Sequence, residues 1–195
     1  MPPPYTSPVQ ARVLIPVKAF AIAKLRLADA LSAAERADLA RSMAERVVAA
    51  AAPLPVAVAC DDPDVAAWAE ALGASVVWTP GRGLNGAVQQ GVVELFEADA
   101  EIVIVAHGDL PHATGLARLA DFDGVTLVPD RRDDGTNVVA IATSAAAFTF
   151  SYGVGSFARH VAEAERINAS LRVARIPELQ WDVDTPDDLR EPIAT

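Results

Sequence analysis

The sequence holds one cysteine, Cys60. No internal disulfide can form and no cysteine cluster can bind metal, which fits a reducing compartment and a cytoplasmic protein. No stretch approaches the roughly 18 consecutive apolar residues of a membrane-crossing helix, so a membrane is not an expected partner. Residues 1–10, with Pro2, Pro3, Pro4 and Pro8, lack the charged start and apolar run of a signal peptide. They read as a loose tail ahead of one domain spanning 11–195. No Gly-x-Gly-x-x-Gly follows the first apolar strand pattern, which argues against a dinucleotide-binding dehydrogenase. No Ser/His/Asp or Cys/His arrangement suited to nucleophilic catalysis stands out.

Lysine is nearly as scarce as cysteine. Lys18 and Lys24 are the only two, and the other fourteen of sixteen cations are arginine. The formal net charge of −10 excludes sequence-independent nucleic-acid binding, which is built from many Lys and Arg contacts to phosphates. A small anionic ligand needs only a local exception. The stretch from Arg12 to Ala28 supplies one, because it contains no acidic residue. Its alternative is a solvated basic loop.

A chain of 195 residues, 52% hydrophobic, is long enough to bury a sizeable core and suits one globular domain. Its pattern alternates strand and helix. Arg12 to Val17 reads as a short buried strand. Ser32-Ala33-Ala34-Glu35 is a capping box that opens a helix with Leu39, Met43 and Val47 on its core face. Residues 55–59 read as a strand, and Asp62-Pro63 as a helix entry closed by Gly73. Residues 75–78 follow as a strand, 85–96 as a helix, and Glu101 to Ala106 as a strand buried on both faces. Gly124 to Val128, Asn137 to Ala142 and Arg172 to Ile176 are further strands with fewer helices between them. The expected architecture is α/β, a mixed and mainly parallel sheet with helices on both faces.

Polar chemistry concentrates in loops that leave strands or enter helices. Lys18, Lys24 and Arg26 follow the first strand, at the edge where open α/β sheets bind ligands. Gly81-Arg82-Gly83-Leu84-Asn85-Gly86 either lets backbone N–H groups approach a ligand or is an ordinary flexible turn. Asn85 either reads a base edge or caps the next helix. After the most buried strand, Asp109 either holds a metal or substrate or caps the following turn. His107 stands two residues earlier, on the same side of an extended chain. His112 and His160 read as surface or packing residues.

If Trp181 to Asp184 is extended, Asp182 and Asp184 share a face about 6.6 Å apart, with Val183 turned into the core. Two hard oxygen donors at that spacing suit magnesium rather than zinc. Thr185-Pro186-x-Asp188 also begins a helix, which makes Asp187 and Asp188 capping and dipole residues. Gly153, Gly155 and Ser156 precede an amphipathic helix, where free N–H groups and a hydroxyl form an anion site, unless Ser156 is a plain N-cap. Two anion sites and a candidate metal describe phosphoryl or nucleotidyl transfer.

These segments together resemble one family. Leu14-Ile15-Pro16-Val17-Lys18, Ala23-Lys24-Leu25-Arg26-Leu27, Gly83-Leu84-Asn85 and Gly108-Asp109-Leu110-Pro111 are similar to the 2-phospho-L-lactate or phosphoenolpyruvate guanylyltransferases. So are Pro129-Asp130-Arg131, Asp134-Gly135-Thr136-Asn137, Tyr152-Gly153-x-Gly155-Ser156-Phe157-x-x-His160 and Asp182-Val183-Asp184-Thr185-Pro186-x-Asp188-Leu189. The match runs in order along nearly the whole chain. It departs at Gly86 and Gly108, where alanine is usual, and at His112, where an apolar residue is common.

The resemblance implies a Rossmann-like nucleotidyltransferase fold and a GMP transfer from GTP to phosphoenolpyruvate or 2-phospho-L-lactate, with pyrophosphate released, in coenzyme F-420 biosynthesis. It implies nucleotide contacts at Leu14, Pro16, Lys18, Lys24, Arg26, Gly83 and Asn85. The phosphorylated acid would lie at Thr136, Gly153, Gly155 and Ser156, and magnesium at Asp109, Asp182 and Asp184. Lys18, Lys24, Arg26 and Asp109 would carry catalysis by neutralising charge, since an ionised phosphate needs no general base. The alternatives are a related nucleotidyltransferase acting on a sugar phosphate or a molybdopterin, and a GTP-binding module without chemistry. A homodimer would be an ordinary assembly for such a chain.

Overall fold

The computed structural model describes residues 10–190. Seven strands form one sheet: β1 (Ala11–Pro16), β2 (Val56–Cys60), β3 (Ser75–Trp78), β4 (Ile102–Ala106), β5 (Val125–Pro129), β6 (Thr136–Ala142) and β7 (Leu171–Val173). Their order across the sheet is β3-β2-β1-β4-β6-β5-β7. All neighbours are parallel except that β6 runs against both β4 and β5. The mixed, mainly parallel sheet is therefore as its sequence pattern indicates. The expected tail falls outside the described residues save for Gln10, whose carbonyl accepts from the N–H groups of Glu101 and Ile102.

Among the described residues, five α-helices accompany the sheet: α1 (Ala33–Ala50), α2 (Pro63–Ala71), α3 (Gly83–Glu97), α4 (Ser156–Arg166) and α5 (Pro177–Gln180). Strand side chains alternate between two apolar layers. Val13, Ile15, Ile102 and Ile104 pack with Val47 of α1, whereas Leu14, Val103 and Val105 pack with Val88, Val92 and Leu95 of α3. That division puts helices on both faces. The capping box at α1 is present, with Ser32 Oγ accepting from the Glu35 N–H and the Glu35 carboxylate accepting from the Ser32 N–H. Asp62 caps α2 through the N–H groups of Asp64 and Val65.

The last strand is shorter than the expected 172–176. After Val173 only the Ala174 N–H still reaches β5, at Leu127 O, and Arg175 turns away to an ion pair with Asp133. The chain proceeds outward from β1 to β2 and β3, then returns to β4 on the other side of β1. That reversal opens a crevice at the carboxyl ends of β1 and β4, where open α/β sheets take ligands.

Candidate active site

A cleft of about 480 Å³ occupies this crevice. Pro16, Lys18, Lys24 and Arg26 from the loop after β1, Gly83 at the start of α3, Asp109 after β4 and Asp184 near the end of the chain all line it. Residues from the beginning and the end of the sequence therefore share one wall. An apolar pin explains why. Leu27 from the lysine loop, Met43 of α1 and Val183 are fully or almost fully buried against one another, with Trp181 and Leu189 at the margin. Val183 also donates its N–H to Asp109 O at 3.3 Å. Its two flanking aspartates are carried to the β4 loop with it.

Lys24 is the centre of the charge arrangement. Its Nζ lies 2.5 Å from Asp109 Oδ2 and 3.2 Å from Asp184 Oδ1. Arg26 reaches the other oxygen of Asp184 at 3.2 Å. Burial alone would lower the Lys24 pKa, but the two carboxylates outweigh it and hold the ammonium above its usual value. Burial would likewise raise Asp109, and the Lys24 charge reverses that. Lys24 adopts φ 52, a left-handed conformation uncommon outside glycine, of the kind that collects at ligand sites.

Asp182 does not line the cleft, yet it belongs to the same electrostatic group. Burial first, then the charges of Asp109 and Asp184, push its carboxyl up to about 6. Asp109 Oδ1 and Asp182 Oδ1 are both buried without a hydrogen-bond partner among the described residues. Among the described residues, no three His, Cys, Asp or Glu side chains close into a ready metal cage. The expected three-aspartate cluster is instead an open carboxylate group with an ammonium between two members. Its two orphaned oxygens leave acceptor capacity for a cation, which suits magnesium, an ion that takes one or two carboxylates and completes its shell with phosphate and water.

The glycine turn before α3 also faces the cleft. Gly81 and Gly83 have φ +69 and +60, which a side chain would strain. No side chain caps α3, so the positive end of a 15-residue helix points at the cleft with free first-turn N–H groups. Asn85 does not cap α3. Its Oδ1 accepts from the Tyr152 N–H at 2.7 Å, tying α3 to the segment before α4. The Leu14 side chain is fully buried in the core under Gly91, where an added Cβ would meet it at 2.7 Å.

The second anion site is more occupied than its sequence implies. Asp134 Oδ1 accepts from the Gly155 N–H at 3.1 Å, and Asp134 O accepts from the Phe157 N–H at 3.0 Å. An internal acid therefore holds part of the helix start. Ser156 is buried rather than a cap, and Gly155 holds the N-cap position in a left-handed conformation. Thr136 is buried beside the loop, joined to His160 Nδ1 at 3.0 Å. His160, read as a surface or packing residue, also accepts the Ser151 N–H at Nε2, 3.0 Å away. Because a backbone N–H can only donate, Nε2 is the bare nitrogen and Nδ1–H donates to the Thr136 hydroxyl.

Asp188 exceeds the capping role read from its surroundings. It is fully buried, pairs with Arg131 and Arg132, and accepts from the N–H groups of Asp184 and Thr185 and from the Thr185 hydroxyl. Burial alone would raise its pKa, but those donors hold it far below the carboxylate range. Arg131 also stacks on Trp181, with Cζ 3.8 Å from the ring centroid. Asp130 shapes the turn carrying these arginines by accepting from the N–H groups of Arg132, Asp134 and Gly135. A side chain at Gly135 would meet its carboxylate at 2.9 Å. Asn137 donates to Leu179 O at 3.1 Å, so the turn grips the segment that delivers Asp182 and Asp184.

Comparisons with known proteins agree with this geometry. The family model described as "Guanylyl transferase CofC like" matches residues 11–194. A phosphoenolpyruvate guanylyltransferase from Sphaerobacter thermophilus is 35% identical over 187 residues, covering 91% of this chain and 90% of the relative. One from Conexibacter woesei is 38% identical, covering 93% and 88%. Among solved structures, 4-diphosphocytidyl-2C-methyl-D-erythritol synthase from Anaerococcus prevotii superposes with a TM-score of 0.62 at 10% identity, covering 93% of this chain and 95% of that one. A cytidylyltransferase from Leptospira borgpetersenii gives 0.59 at 13% identity, covering 93% and 84%. Those two likenesses show the Rossmann-like nucleotidyltransferase fold. The protein is an enzyme of nucleotidyl transfer, and the chain belongs to the CofC-like guanylyltransferase family.

Proposed function

We propose that this protein transfers GMP from GTP to phosphoenolpyruvate and releases pyrophosphate, a step in the biosynthesis of coenzyme F-420. The single observation that carries the reading is the Lys24 ammonium between Asp109 and Asp184 in a cleft also lined by Lys18 and Arg26. A cleft of that kind handles a polyphosphate and the cation that accompanies it. The choice of guanine and of phosphoenolpyruvate rests on the relatives' names.

In the reaction an oxygen of the acceptor's phosphate attacks the α-phosphorus of GTP, and the bond to the β-phosphate oxygen breaks. That attacking oxygen is already ionised near neutral pH, so no general base is required. Lys18, Lys24 and Arg26 draw charge onto the leaving pyrophosphate, and the free N–H groups of α3 bind phosphate oxygens. Thr136 and the Gly153–Ser156 loop hold the acid in line, which is the larger part of catalysis in phosphoryl transfer. Asp109 and Asp184, with Asp182 beside them, would hold magnesium, which supplies Lewis-acid neutralisation of the phosphates.

Incubation with GTP, magnesium and each of phosphoenolpyruvate, 2-phospho-L-lactate and a sugar phosphate, followed by mass analysis, tests the reading. The expected product is guanylylated phosphoenolpyruvate with equimolar pyrophosphate. Pyrophosphate release with the sugar phosphate alone would overturn it.

A further inference from the structure

His107 Nε2 is buried and has no hydrogen-bond partner among the described residues. Its ring lines the cleft next to Gly108 and Asp109. Buried polar atoms in native proteins are nearly always paired, so an orphan on a ligand-binding wall marks a partner that arrives from outside the chain. Lys24 is bonded to both Asp109 and Asp184, whereas Asp109 Oδ1 and the Tyr152 hydroxyl are, like Nε2, buried without a partner among the described residues. On its other side the imidazole rests against Tyr152, ring centroids 4.7 Å apart. Tyr152 leads directly into the Gly153–Ser156 loop. His107 therefore stands where the cation-rich cleft meets the loop assigned to the acid.

We infer that His107 is a binding residue for the acceptor, donating Nε2–H to an oxygen of the acceptor's phosphate as it faces the nucleotide. This rests on the function proposed above. An imidazole always carries at least one N–H. A ligand whose polar atoms are phosphate and carboxylate oxygens offers acceptors only, so it stabilises the tautomer with the proton on Nε2. The contact also explains a histidine directly after an otherwise apolar buried strand, where an orphaned nitrogen costs stability in the free enzyme.

The test uses the full chain with His107→Leu and His107→Gln. Leucine removes the polar group at similar bulk, and glutamine keeps an amide donor. We expect His107→Leu to melt at or above the wild-type temperature, because the unpaired group is gone. Its KM for phosphoenolpyruvate should rise about tenfold, the usual loss for one hydrogen bond to a charged group, with KM for GTP within about twofold of wild type. His107→Gln should recover part of the loss. The thermal shift given by phosphoenolpyruvate should shrink in parallel, while that given by GTP persists. An unchanged KM for the acid in His107→Leu overturns this inference alone. A leucine variant that melts several degrees lower and loses both substrates together also overturns it, by making His107 structural. Wild-type protein that forms no guanylylated acid overturns the proposed function and this inference with it.

Discussion

Lys24 and Asp184 lie 160 positions apart in the chain and 3.2 Å apart in the fold. The lysine loop and the carboxyl-terminal acids are joined twice, by this ion pair and by the apolar contact of Leu27 with Val183. The ammonium stands among carboxylates that would otherwise repel one another. In the absence of a bound cation it is their neutralising charge.

Lys24→Met tests that role. It should leave Asp109, Asp182 and Asp184 near one another with only Arg26, at Asp184, as a counter-charge. Breaking a buried pair costs about 3–5 kcal/mol, and the value here should fall near the lower end because Asp184 is 40% exposed. Thermal denaturation with chelator should show this loss in full, and added magnesium should restore a large part of it. Equal losses in chelator and in magnesium would sink the idea that these carboxylates accept a metal. Turnover in the presence of magnesium should drop at least about a hundredfold, the scale of one removed electrostatic stabiliser.

Asp188→Asn addresses how Asp184 is delivered. The carboxylate receives five donors, from Arg131, Arg132, two backbone N–H groups and one hydroxyl. An amide can satisfy only part of this set and leaves two guanidinium groups without their counter-charge. Urea denaturation should show a loss of about 3 kcal/mol. Activity should fall even where the protein is fully folded, because the Asp184 N–H is one of the bonds given up. A variant with wild-type stability would contradict the anchoring role.

The distinction between Asp188 and Ser32 shows what the sequence discloses. The capping box at Ser32 and the cap at Asp62 are closed by residues within three positions, so local pattern suffices. Asp188 was readable only as a partner of Thr185, because Arg131 and Arg132 approach from 57 and 56 positions away. The tie made by Asn85 was hidden for the same reason: its acceptor serves Tyr152, 67 positions on. His160 looked partnerless until β6 and the segment before α4 folded around it. Strand β4 was legible as five consecutive buried apolar residues, and its position fixed the ligand edge of the sheet. Chemistry carried by strand ends was thus visible early, whereas the side chains that brace those ends required the tertiary fold.

His160 gives a pH dependence with a definite sign. Burial lowers its pKa from 6.5 to about 4. The unfolded chain therefore binds the proton first on acidification. The stabilising effect of the neutral ring is complete above pH 6.5 and is lost as pH falls through about 4, at most about 3 kcal/mol in all. Asp182 acts in the opposite sense, since its carboxyl titrates near 6 when folded and relieves its own cost as pH falls. The informative quantity is consequently the difference between wild type and His160→Gln. That difference, measured by urea denaturation between pH 7.5 and 4, should shrink steadily on acidification. A constant difference would mean that the folded and unfolded chains protonate the ring at the same pH.

Gly108→Ala separates a steric requirement from a historical substitution. Glycine before Asp109 could be demanded by a close approach or by unusual backbone. Neither applies: a Cβ at Gly108 would lie 3.6 Å from Ile15 Cγ2 and Val17 Cγ2 and 3.7 Å from Ala44 Cβ, ordinary contact distances. Gly108 is also absent from the residues with positive φ. Alanine restricts the unfolded chain and adds apolar contact to a wall already formed by those three side chains, so stability should rise by about 0.4–1 kcal/mol. Asp109 should keep its bond to Lys24, and kcat/KM for GTP should stay within about twofold. A variant that is destabilised, or that loses activity at unchanged stability, would show that the cleft floor needs its missing methyl group to remain missing.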